Sequence, residues 1–76
     1  MLYGYVVLDS ERTIHSVNRS VEGAAMFAFS WGEPQLPTGE PFSAEALDAI
    51  LRTQPSVRVA YPNDTYLDIE CHGLNI

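Results

Sequence analysis

The side chains best suited to chemistry in this 76-residue chain are one cysteine, two histidines and 10 carboxylates. Cys71 and His72 are adjacent. Adjacent side chains on a strand point to opposite faces, so the two cannot form a nucleophile–base pair or share one metal ion. His15 could approach either of them if the two halves of the chain lie side by side. Two His and one Cys still fall short of a structural zinc set. These residues predict no metal site and a buried, inert Cys71. Asp9, Glu11, Asp64, Asp68 and Glu70 fall at turn and strand-face positions. General acid–base work needs a carboxylate held in a cleft, and the spacing marks none. No phosphate-binding glycine motif occurs. The chain is therefore expected to be non-enzymatic and to carry no cofactor.

The net charge is −6, from 10 acidic and 4 basic residues. A nucleic-acid backbone needs Lys and Arg to displace its counterions, so that class of partner is excluded. An anionic membrane surface is excluded on the same grounds. An acidic balance suits solubility, or docking onto a basic patch of another protein. A lone cysteine forms no internal disulfide and is compatible with a reducing compartment. No apolar run approaches the roughly 20 residues that cross a bilayer, and the first residues lack the basic start of a signal peptide. The expected location is cytoplasmic.

Hydrophobic residues make up 46% of the chain, enough for a folded core. Residues 1–76 read as a single domain. A domain of this size buries only roughly 60% of its unfolded surface, so a dimer interface or a larger parent chain would help it.

The elements that must position these side chains follow from spacing. Residues 3–8 are aromatic and β-branched and predict a strand, with Val6 and Leu8 on one face and Tyr5 and Val7 on the other. Asp9 to Arg12 is a turn, and Thr13 to Val17 is the second strand of a hairpin. Asn18 is placed to cap a helix over Arg19 to Phe29, whose apolar residues recur at three and four. Residues 30–42 hold two Gly and three Pro and predict a loop with at most one helical turn. Ser43 reads as the cap of a second helix, Ala44 to about Thr53, ended by Pro55. Two alternating runs around Pro62-Asn63-Asp64 complete a second hairpin. The fold class is α+β, in the order β-β-α-(loop)-α-β-β, an antiparallel sheet with helices on one face.

That order, with its motifs, resembles a PAS sensor domain. The carriers are Leu8-Asp9 at the first strand's end, Ile14-His15-Ser16-Val17-Asn18, Glu22 four residues after that Asn, and Gly39-Glu40-Pro41-Phe42. Pro62-Asn63-Asp64 is similar to the family's Pro-Asp-Gly turn. The resemblance spans nearly the whole chain. It departs from the family at Ala28-Phe29, where Gly-Tyr is usual, in the short inter-helix region, and in lacking the last strand. The family places that strand between the first and fourth. Its loss either lets those two pair directly or leaves edges open to another chain. The family's haem-ligating His and its photoreactive Asn-Cys-Arg have no counterpart here.

The resemblance implies a sensory or protein-interaction domain, with a protein partner or a second copy (a homodimer) on its sheet. A small molecule could sit between helices and sheet against Val6, Val17, Phe27, Phe42, Leu47, Leu51 and Ile69, although the same residues could simply fill the core. Candidate interface anchors are Tyr3, Tyr5, Trp31 and Tyr66. The competing expectation is a stand-alone acidic inhibitor or adaptor, of the kind mobile elements often encode, that covers a basic host surface.

Overall fold

A computed structural model describes residues 2–74, with side chains given for 4–73. Its strands are β1 (Leu2–Leu8), β2 (Ile14–Asn18), β3 (Ser56–Ala60) and β4 (Tyr66–Leu74), and its helices are α1 (Val21–Ser30) and α2 (Ala44–Leu51). The fold is α+β, and the antiparallel sheet runs in the order β2-β1-β4-β3. β1 and β4 pair directly along their length, from Leu2↔Leu74 to Leu8↔Asp68. Of the two outcomes expected for the central strands, direct pairing is the one found.

Alternation decides which side of the sheet is covered. Val7, Val57, Val59, Leu67 and Ile69 point to one face and are buried against Val21, Ala24, Ala25 and Ala28 of α1 and Leu47 of α2. The small residues of α1 let its backbone lie close to the sheet. Leu36, from the inter-helix loop, joins the same core. Gln35 exchanges both backbone hydrogen bonds with Ala60, at 2.8 and 3.0 Å, which ties that loop to the outer edge of β3.

Ser20, not Asn18, caps α1: its hydroxyl accepts the Gly23 N–H at 3.2 Å. Asn18 instead ends β2 and donates from its amide to Ser16 Oγ at 2.9 Å. Ser43 caps α2 as expected, accepting the Ala46 N–H at 3.0 Å. α2 stops at Leu51 rather than Thr53, because the Thr53 hydroxyl and N–H both turn back to the Ile50 carbonyl. The 30–42 loop carries no helical turn. α1 ends on Trp31, and Gly32 follows at φ +146°, where an added Cβ would meet the Tyr61 ring at 3.4 Å. Among the described residues no helix is long and apolar enough to cross a membrane.

Candidate functional site

The face of the sheet away from the helices has two halves. On the β2–β1 half, Val6 pairs with Val17 and Leu8 with Ile14, and paired residues share a face. Ile14 is 59% exposed and Val17 65%. A bulge makes this possible: Val7 pairs with Ser16 and Leu8 with Ile14, so His15 has no partner in the register. Without that extra residue Ile14 and Val17 would fall on opposite faces.

On the β4–β3 half the same face is ionic. Arg58 donates to Asp68, its register partner, at 3.0 Å, and its guanidinium lies 3.9 Å over the Tyr66 ring. Arg12, at φ 66° in the β1–β2 turn, crosses the face to Glu70 at 2.9 Å and Asp68 at 3.5 Å. Leu8 pairs with Asp68 beneath that reach and is buried despite facing outward. His72 Nε2 meets Glu70 at 2.9 Å. The His72 bond first, and Arg12 second, hold the Glu70 carboxyl below the usual glutamate range. Two guanidiniums meet two carboxylates here, so this half is electrically balanced.

On the helix side a groove of about 390 Å³ opens between α2 and the sheet, lined by Tyr5, Asp48, Leu51, Arg52 and Cys71. Tyr5 and Cys71 are register partners. Burial, and then Cys71 and Asp48 nearby, push the Tyr5 phenol up. The groove's mouth carries the Asp48–Arg52 ion pair at 2.8 Å. Cys71 is half-buried with a free thiol.

No family model, no curated protein and no solved structure matches this chain.

The seven residues expected to line one cavity do not gather in one. Val6 and Val17 lie on the open face, because the helices cover the other side of β1 and β2. Leu47 and Ile69 are fully buried and fill the core. Phe27 packs near His15 and Trp31, and Phe42 stacks edge-on against Phe29 at 5.1 Å. Leu51 alone lines the groove. Of the expected anchors, Tyr66 lies on the open face under Arg58, whereas Tyr5 faces the helices. Trp31 sits at the end of α1, edge-on to His15 at 5.1 Å. Tyr3 pairs with Gly73, and its side chain lies outside the described residues.

His15 does not approach Cys71 or His72. β1 separates β2 from β4, and His15 instead binds Asp9 at 2.8 Å. Among the described residues no group of three or more His, Cys, Asp or Glu is placed to hold a metal. Spacing alone did not point to the Arg12 crossing or to Ile14 sharing a face with Val17. Both depend on turn and bulge geometry; the one available signal was the paired register of Arg58 with Asp68 across a predicted hairpin.

Proposed function

We propose that the chain is a non-enzymatic, PAS-like sensory and protein-interaction domain of the cytoplasm that docks through the open face of its sheet onto a protein partner or a second copy. The observation that carries this reading is the exposed Ile14–Val17 pair, flanked by half-buried Val6, beside a neutralised ionic ladder. An apolar centre rimmed by satisfied charges is how protein interfaces are built. PAS kinship is supported by the element order and by helices covering one face only; the direct β1–β4 pairing departs from the family, which places its last strand between those two. Sensing would use the groove at Tyr5, Leu51 and Cys71, where a small ligand shifts an equilibrium by binding one state more tightly.

A second reading, the acidic adaptor, draws on where the charge lies. The open face is balanced, so the net charge of −6 falls on the rest of the molecule.

The test compares wild type with an Ile14→Ser/Val17→Ser double variant by sedimentation and by affinity capture. Self-association, or a captured protein, that is lost in the double variant supports the sheet face. A monomer whose captured proteins are the same with either chain removes it.

A further inference from the structure

We infer that the outer side of α1, together with the hollow beside Phe42, is a second docking surface, and that its occupant is a basic, apolar-anchored peptide segment of another protein. Glu22, Met26 and Phe29 recur at four and three residues on α1, so they share its outward side. Met26 is 73% exposed and Phe29 52%, while the opposite side of the helix is buried. Phe29 stacks edge-on against Phe42 at 5.1 Å. Phe42 also walls a hollow of about 300 Å³ whose other walls include Pro34, Leu36, Glu40 and Pro41. Gln35 and the Glu40 carboxylate make the rest of the lining polar, and such a mixed hollow suits a Lys or Arg side chain, which lays its methylenes on apolar surface and its head group on an acid.

Charge selects the occupant. From Ser20 to Leu47 the chain carries Glu22, Glu33, Glu40 and Glu45, and no Lys, Arg or His; Asp48 beyond them is neutralised by Arg52. A second copy that presents this same side brings the same carboxylates and is repelled. A segment with Leu or Met on one helical side and Lys or Arg on the other is matched by both the stripe and the field around it. The surface is distinct from the sheet face. It rests on the acidic-adaptor reading only for the sign of the partner.

The test titrates ¹⁵N-labelled full chain with a synthetic amphipathic Leu/Lys peptide of about 14 residues, close to four helical turns. Two controls replace its Leu by Ser or its Lys by Glu. Amide shifts centred on residues 22–29 and on Glu40 and Phe42 are expected. The Ser control and the Met26→Ser/Phe29→Ser variant should each weaken binding at least about tenfold. Glu40→Gln should weaken it several-fold, with a smaller loss on adding salt, and Ile14→Ser/Val17→Ser should leave it unchanged. Met26 and Phe29 are exposed, so folding of the variant is checked simply by its Trp31 emission and melting curve. Equal binding of the Ser control, shifts centred on the sheet face, or concentration-dependent shifts at Met26 and Phe29 without peptide would each overturn the inference. Binding of Lys peptides elsewhere leaves the adaptor reading standing, whereas no binding of either Lys peptide removes both.

Discussion

Tyr61 links three parts of the fold through one side chain. It is buried at the end of β3, packs near Trp31, and donates its hydroxyl to the Ala28 carbonyl at 2.6 Å. Burial pushes its phenol up to about 12. The folded value lies above the unfolded one near 10, so the stability this group contributes is complete below pH 10 and is lost as pH rises through about 12. Absorbance at the phenolate band should therefore show Tyr61 ionising late, together with the loss of folded signal. Tyr61→Phe should remove that late step and lower stability by about 1 kcal/mol in urea unfolding. The loss stays small because the backbone N–H of Trp31 still donates to the Ala28 carbonyl at 3.2 Å. An unchanged alkaline limb in the variant would show that another group controls it.

At the scale of elements, Gly23 in the first turn of α1 tests how the hairpin and helix fit. Replacing a helical Gly by Ala gains up to about 1 kcal/mol. Here the new Cβ would stand 3.0 Å from Asn18 Oδ1 and 3.3 Å from Asn18 Cγ. Asn18 is held by its bond to Ser16 and must give way. Gly23→Ala should thus show none of the usual gain in melting temperature. A double-mutant cycle with Asn18→Ala should give a coupling of about 0.5–1 kcal/mol. The elements themselves were legible in the sequence, since period-two and period-three-to-four patterns, with Ser43 and Pro55 as punctuation, gave six elements in their observed order. Two things were not legible. Asn18 and Ser20 both suit a cap, and only the backbone chooses between them. The bulge at His15 leaves no compositional trace, yet it decides that Ile14 and Val17 share a face. The candidate site was less legible than the fold for this reason: a one-residue shift exchanges the covered and open sides of a strand.

At the scale of the molecule, charge arrangement sets the acid limit. The His15 bond, and then the Thr13 and Glu11 N–H groups, hold Asp9 below the usual aspartate range, as His72 and Arg12 do for Glu70. Both folded values lie below the unfolded ones near 4, so their contribution is complete above about pH 4 to 5 and is lost as pH falls through the depressed values. Urea midpoints should drop between pH 5 and pH 2. An Asp9→Asn/Glu70→Gln variant should start lower and fall less steeply, and parallel curves would count against this account. The directness of β1–β4 pairing has a further, mechanical result. Leu2 stands opposite Leu74, so both ends of the described chain leave side by side from the middle of one end of the sheet. Tension applied there loads the central ladder one rung at a time, like a zip, not all rungs together in shear. Optical-tweezer traces should show yielding at low force when the handles are at the ends, and at distinctly higher force when one handle is moved to the far end of β1, near Leu8.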